Sequence, residues 1–199
     1  MVRSARPSDL VWFAGAVACV AGAAAPALSQ DTQVIEVIGQ AEPQCNLGAA
    51  EQGSGDQLNM VATAGSVFSV SELTDSQTLS SRAAIITLDV PAMCNSIHRV
   101  ALASDNNGLW LQNPTLATAG FASAVPYAAD LVWSEQTYRL NADAESRGSV
   151  EESLIIGQPA TGAIQIEFSI VAGASNAGFG APLLAGDYVD VLRVIVEPQ

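Results

Sequence analysis

The chain has 199 residues, in which seven basic residues stand against 20 acidic ones, for a formal net charge of −13. A charge of this sign and size repels nucleic acid and anionic lipid headgroups, which argues against either as a partner. The acidic residues are scattered along the chain, so they predict a solvated surface and not a cation-binding cluster.

Residues 1–29 have the pattern of a secretory signal peptide. Arg3 and Arg6 precede an apolar run at 10–20 and a stretch of small residues. Two alternatives stay open: an uncleaved membrane anchor, because the apolar run is nearly long enough to span a bilayer, and a lipoprotein acylated at Cys19. We expect export to the periplasm or cell surface, a mature chain of about 170 residues, and no membrane span after cleavage.

Export leaves two of the three cysteines, Cys45 and Cys94. An even pair in an oxidising compartment predicts a disulfide. A disulfide between them would close a loop of about 49 residues, which stabilises a fold by about 4 kcal/mol in the chain-entropy treatment. Two cysteines and a distant His98 do not make the ligand set of a zinc site, so we expect no metal and no cofactor.

The first predicted strand covers residues 33–41, where Ile35, Val37, Gly39 and Ala41 share one face by the two-residue period. Further elements follow up to the middle of the chain: a Gly- and Ser-rich loop at 49–56, one or two short strands at 58–70 broken near Gly65, a strand at 84–90 whose regular pairing Pro91 ends, a strand at 97–104, and a turn at 105–108.

The second half of the chain contains the clearest strand, in which Ile164, Ile166, Phe168 and Ile170 alternate with polar residues. The other predicted elements are a short strand at 109–111, an extended segment at 125–133, a polar and mobile segment at 141–152, and a Gly-rich loop at 172–181. The segment 185–196 is predicted to be a turn followed by a long final strand, which carries Tyr188 and has Leu192, Val194 and Val196 on one face.

About eight strands, no helix in the mature chain and turn signals between strands predict an all-β fold. The expected architecture is an immunoglobulin-like antiparallel β-sandwich in one domain, residues 30–199. We expect the strand aromatics Tyr127, Trp133 and Tyr138 to pack in the core; a carbohydrate-binding platform is the alternative.

Catalytic patterns are weak in this sequence, and we do not expect an enzyme. His98 is the one candidate base, and its place in a predicted strand favours a structural histidine facing solvent. Residues 173–177 resemble a nucleophile elbow but end in Ala177 and lie in a Gly-rich loop. Glu151 and Glu152 are adjacent in a polar segment, where acids usually stay in water.

Several of these features together resemble the spore coat protein U family and the related archaic chaperone–usher pilins. The matching features are the N-terminal alternating strand before Cys45, the strand that leads into Cys94, the segments 104–109 and 125–127, and the C-terminal segment 185–196. Two features depart from the family pattern: residues 58–60 are a poor version of its aromatic–glycine motif, and Gly39 and Ala41 are small for inserting residues.

The resemblance implies a sandwich that lacks one strand, which a periplasmic chaperone and then the N-terminal segment of another subunit supply at an usher. On this chain the donor strand would be residues 33–41, inserting Ile35, Val37, Gly39 and Ala41. The implied function is a structural subunit of a surface fibre or coat. The alternatives are a self-complete module that binds a glycan or an envelope protein, and a diverged relative whose N-terminal strand folds into its own domain.

Overall fold

The computed structural model describes residues 33–113 and 118–199, apart from the side chain of Ala64. The predicted signal peptide and Cys19 lie outside the described residues. The chain divides into two units, of which one ends at Gln40 and the other is the compact domain 41–199. Residues 33–44 form no strand and are exposed.

The described part of the domain is built from β-strands and contains no helix. In chain order the strands are β1 Cys45–Leu47, β2 Glu51–Leu58, β3 Met60–Ala64, β4 Val67–Val70, β5 Ala84–Cys94, β6 His98–Ser104, β7 Leu109–Leu111, β8 Ala124–Val125, β9 Tyr127–Trp133, β10 Gln136–Ala142, β11 Val150–Ile156, β12 Ala160–Ile170, β13 Tyr188–Val189 and β14 Leu192–Pro198.

Two antiparallel sheets form the body of the domain. The larger has the order β1-β5-β12-β9-β10, with β2 following β1 along the same edge of β5. The smaller has the order β11-β6-β14. The consecutive strands β10 and β11 are in contact, which brings the two sheets together on that side. The all-β antiparallel sandwich predicted from the sequence is therefore confirmed.

The core lies between these sheets because alternate residues of each long strand point inward. On β12 the alternating set is buried as predicted, and β5 buries Ile86, Leu88 and Val90 against it. Tyr127 and Trp133 are buried and Tyr138 is half-buried. These three aromatics pack against the core, as expected from the pattern of the strands.

Smaller strand groups complete the domain. The hairpin of β3 and β4 turns at Gly65, which has a positive φ of 57°, and it buries Met60. The strands β13, β7 and β8 form a separate three-stranded sheet. No helix in the described ranges is long and apolar enough to cross a membrane.

Several predictions about local structure were wrong in whole or in part. Residues 51–58 form an edge strand where a loop was predicted, because backbone pairing to β5 needs no apolar side chains. Residues 136–142 and 150–156 are strands that flank a loop at 143–149, so the two ends of the segment predicted to be mobile, 141–142 and 150–152, are paired, while its middle is a loop. Pro91 does not end its strand, since its carbonyl still accepts from Gly48 N (2.7 Å) and the chain pairs with β12 on the other side.

Candidate strand-acceptor site

The last strand, β14, lies at an edge of the smaller sheet. It pairs antiparallel with β6 over its whole length, from Leu192 opposite Ser104 to Pro198 opposite His98. Within the described residues it pairs with no other strand. A strand in this position leaves one row of backbone donors and acceptors without a sheet partner.

Hydrogen bonds at the two ends of β14 establish which backbone groups face outward. Asp105 N donates to Val191 O (3.0 Å), and Gln199 N donates to Ile97 O (2.9 Å). Both residue pairs continue the β6–β14 register at its two ends. In an antiparallel ladder every second residue pair is hydrogen-bonded. The N–H and C=O groups of the residues between the bonded positions, Leu192, Val194 and Val196, therefore point to the free edge.

The side chains of Leu192, Val194 and Val196 pack against the core but stay half-buried. Their partners on the central strand β6, Ser104, Leu102 and Val100, are fully buried. The difference arises because β6 has neighbours on both sides and β14 has one. The edge thus combines free backbone groups with incompletely covered apolar side chains.

The larger sheet has a polar strand, β2, at one of its edges. The sequence of β2 is Glu-Gln-Gly-Ser-Gly-Asp-Gln-Leu, and its ladder to β5 is interrupted between Gln52 and Gln57. Every side chain on it is exposed, so β2 covers the edge of β5 with backbone and adds no apolar side chain to the core. On this side of the sandwich β1 contacts β14, and β2 adds no apolar side chain beside them.

The predicted disulfide holds the start of β1 to the end of β5. Cys45 and Cys94 are bonded and lie directly opposite each other, with their Cα atoms 4.2 Å apart. His98 and Pro198 are paired in the other sheet close to where β5 ends, and we call this end of the sandwich the cystine end. The first strand of the domain therefore begins at the end where β14 finishes.

The predicted C-terminal strand residues do not all belong to one strand. Tyr188 lies in β13, paired with Leu111 of β7, and its hydroxyl lies 2.8 Å from Leu184 O. Leu192, Val194 and Val196 lie in β14, which starts after a break at Asp190 and Val191. The prediction of a single long strand within residues 185–196 is therefore wrong.

Asp190 causes this break because its carboxylate binds groups from several segments. Oδ2 accepts from Ser104 Oγ (2.5 Å) and Tyr127 Oη (2.7 Å), while Oδ1 accepts from the backbone N of Asn106 (3.0 Å) and of Val191 (2.7 Å). A carboxylate with this many donors fixes the chain at the start of β14. Burial, together with the hydrogen bond to Asp190, raises the pKa of the Tyr127 hydroxyl well above its ordinary value.

His98 is fully buried, not solvent-facing as the sequence predicted. Trp133 Nε1 donates to His98 Nε2 (2.8 Å), and His98 Nδ1 lies 2.9 Å from Ser96 O. Since an indole nitrogen only donates, Nε2 is the unprotonated nitrogen and Nδ1 carries the proton. The imidazole thus joins the two sheets at the cystine end and has no substrate-facing nitrogen.

The predicted donor residues Ile35, Val37 and Gly39 lie in the unit that ends at Gln40, and Ala41 begins the domain. The four large aliphatic side chains at 34, 35, 37 and 38 are between 79% and 90% exposed. Four exposed β-branched residues within positions 34–38 are a feature of segments that pair with another strand. Three of the four predicted donor residues therefore lie outside the unit that contains β14.

No group of His, Cys, Asp or Glu among the described residues is arranged to hold a metal ion. Comparison of the chain with protein-family models, with curated proteins and with solved structures gave no match.

Proposed function

We propose that this chain is an exported structural subunit that assembles by strand exchange, with the free edge of β14 as the acceptor. The observation that carries the proposal is the coincidence of outward backbone groups and half-buried apolar side chains at Leu192, Val194 and Val196. An added strand would satisfy the first and cover the second. The resemblance to spore coat protein U and archaic pilin subunits, with an incomplete immunoglobulin-like sandwich, leads to the same proposal.

The donor we propose is the segment 33–41 of another copy. Residues of an added strand that lie opposite Leu192, Val194 and Val196 point into the core with them. Successive residues of the segment point to opposite faces, so only one of its two faces can be inserted. One face carries Ile35, Val37 and Gly39; the other carries Glu36, whose charge is costly to bury without a partner. The face with Ile35, Val37 and Gly39 is therefore the inserting one. Each large aliphatic side chain that it buries contributes roughly 1.5–3 kcal/mol to the free energy of association.

Before assembly the β14 edge would need protection from uncontrolled pairing. A periplasmic chaperone is the partner that the resemblance implies for this step, and an usher is the implied site of exchange. The acidic surface is consistent with a soluble subunit that passes through the periplasm on its way to the cell surface.

A peptide-capture experiment tests this proposal. The full exported chain would carry Ile35→Asp and Val37→Asp, which disable its own donor and leave the domain unchanged. We expect this donor-disabled chain to bind a labelled peptide of residues 30–44 and not the same peptide with Asp at positions 35 and 37.

Two further results would bear on the proposal. The unmodified chain should form concentration-dependent oligomers in size-exclusion chromatography with light scattering, and the donor-disabled chain should not. A monomeric unmodified chain, together with no peptide capture by the donor-disabled chain, would contradict strand exchange and favour a self-complete binding module.

A further inference from the structure

The turn between β5 and β6 holds the residues that precede β1. Asn95 N donates to Gln44 O (3.1 Å), Gln44 N donates to Asn95 Oδ1 (2.7 Å), and Asn95 Nδ2 donates to Glu42 O (2.9 Å). Gln44 and Asn95 are the next pair after Cys45 and Cys94 in the β1–β5 register. Because β5 ends at Cys94, the side chain of Asn95 takes the place of a strand backbone as the hydrogen-bond partner of Gln44.

These three hydrogen bonds keep Glu42 to Gln44 in line with β1 for three residues beyond the cystine. The contacts are local to the domain, since all the residues involved lie within 41–199. They are not needed to close the core, because Glu42, Gln44 and Asn95 are all exposed. Their effect is on the direction in which the chain approaches β1.

Direction matters because β1 begins at the end where β14 finishes. If the N-terminal segment 33–41 paired with β14 of its own chain, it would run toward the cystine end, reverse direction there, and continue as β1. It would lie parallel to β14, whereas every ladder between the strands of this domain is antiparallel. Parallel pairing is slightly less stable per residue.

The hydrogen bonds of Asn95 add a second obstacle to this self-insertion. If residues 42–44 stay bound to Asn95, the reversal must fall at residues 39–41. Gly39 and Ala41 are then used for the turn and leave the inserting set. Self-insertion with the full donor face requires that the contacts of Asn95 be broken.

We propose that Asn95 is a positioning residue that disfavours insertion of the N-terminal segment into its own β14 edge and so keeps the segment available to another copy. This inference rests on the proposed strand exchange. It assigns to the β5–β6 turn a role in the choice between a self-complemented monomer and an assembly. The hydrogen-bond partners of Asn95 among the described residues are Gln44 and Glu42, which precede β1.

The test compares Asn95→Ala with Asn141→Ala, an exposed asparagine on β10, in the full exported chain with its donor intact. In dilute solution we expect Asn95→Ala to raise the ratio of self-inserted to open monomer about five- to thirty-fold, as expected for the loss of two hydrogen bonds. The readout is the fraction of monomer that captures the labelled peptide of residues 30–44. Asn141→Ala should capture like the unmodified chain.

The same substitution in the donor-disabled chain separates positioning from any effect on the acceptor. Asn95→Ala should leave peptide capture by that chain unchanged, since it has no segment able to insert. Reduced capture in both backgrounds, or equal capture by the Asn95→Ala and Asn141→Ala chains, would overturn the role of Asn95. Failure of the donor-disabled chain itself to capture the peptide would instead overturn the proposed strand exchange.

Discussion

Asp190 connects the start of β14 to the rest of the smaller sheet. Its carboxylate accepts from Ser104 and Tyr127, which are buried, and from two backbone amides. A hydrogen bond to a charged group is worth more than one between neutral groups, and a buried donor left without a partner costs about 1–3 kcal/mol. One side chain therefore decides where β14 begins.

We expect Asp190→Ala to lower the free energy of unfolding by about 3 kcal/mol, because it leaves the hydroxyls of Tyr127 and Ser104 without their acceptor. Urea denaturation followed by tryptophan fluorescence measures this change. Asp187→Ala is the matched control, since Asp187 is an exposed acid three residues earlier. Equal effects of the two substitutions would show that the carboxylate of Asp190 does not hold this segment.

The three tyrosines give a pH prediction. Burial raises the pKa of Tyr127, of Tyr138 and of Tyr188 above the ordinary value. A raised pKa means that the folded state keeps the neutral phenol while the unfolded state ionises near pH 10. The contribution of these buried neutral phenols to the free energy of unfolding is therefore fully present below about pH 10 and is lost as the pH rises beyond it.

Absorbance at 295 nm, which reports tyrosinate, tests this expectation. A pH titration should show no tyrosinate in the folded protein near pH 10, followed by a cooperative rise when the protein unfolds in alkali. Far-ultraviolet circular dichroism on the same samples reports the folded fraction. A tyrosine that titrates near pH 10 with unchanged circular dichroism would contradict the burial of these phenols.

At the scale of elements, β2 is the most irregular strand of the larger sheet. Its glycines allow the backbone to lie against β5, and a Cβ at Gly55 would lie 2.7 Å from Thr87 Cβ. The sequence of β2 contains no alternating apolar residues, which is why it was predicted to be a loop. Pairing of β2 depends on close approach of two backbones, which composition does not reveal.

Gly55→Ala should destabilise the domain by about 1–3 kcal/mol, because the added methyl group overlaps Thr87 and pushes β2 away from β5. Urea denaturation again measures the effect, and hydrogen exchange should show faster exchange of the amides of β2. Gly157→Ala is the control, since a Cβ there meets no atom within 4 Å. A Gly55→Ala protein as stable as the control would contradict the close packing of β2.

The strands that were predicted best are those with both the two-residue period and buried neighbours. β12 was recognisable because its alternation is regular, and so was β5, in which Ile86, Leu88 and Val90 alternate with Thr87 and Asp89. β10 and β11 were missed because most of their exposed residues are polar; β10 pairs with β9 across a turn at Ser134 and Glu135, whereas β11 pairs with β6, which is distant in sequence. For the candidate acceptor, the apolar face of Leu192, Val194 and Val196 was predicted from its alternation, and a missing strand was implied by the resemblance alone. Which strand has one neighbour among the described residues, β14, comes from the structure.

At the scale of the whole molecule, one covalent bond links the first strand to the sheet. The disulfide between Cys45 and Cys94 joins residues 49 apart in sequence and fixes β1 at the cystine end. β1 and β2 also pair with β5 through their backbones, but β2 buries no side chain of its own. The side of the sandwich between β2 and β14 should be the most sensitive to its loss.

Replacement of both Cys45 and Cys94 by Ser should lower the free energy of unfolding by about 4 kcal/mol, through the larger entropy of the unfolded chain. Urea denaturation of the oxidised protein and of the double variant gives the difference. Reducing agent should destabilise the first and leave the second unchanged. Two free thiols in the oxidised, exported protein would contradict the disulfide.

The sequence alone determined the all-β class, the disulfide pair, the aromatic core positions and the apolar face of the last strand, because these depend on local alternation and on residue type. Only the tertiary structure decided that β14 has one neighbour, that His98 is buried against Trp133 and that Asn95 holds the residues before β1. Each of these depends on contacts between segments that are distant in sequence. A strand's side-chain pattern shows which face it buries, but the number of its neighbours is decided by where the rest of the chain folds.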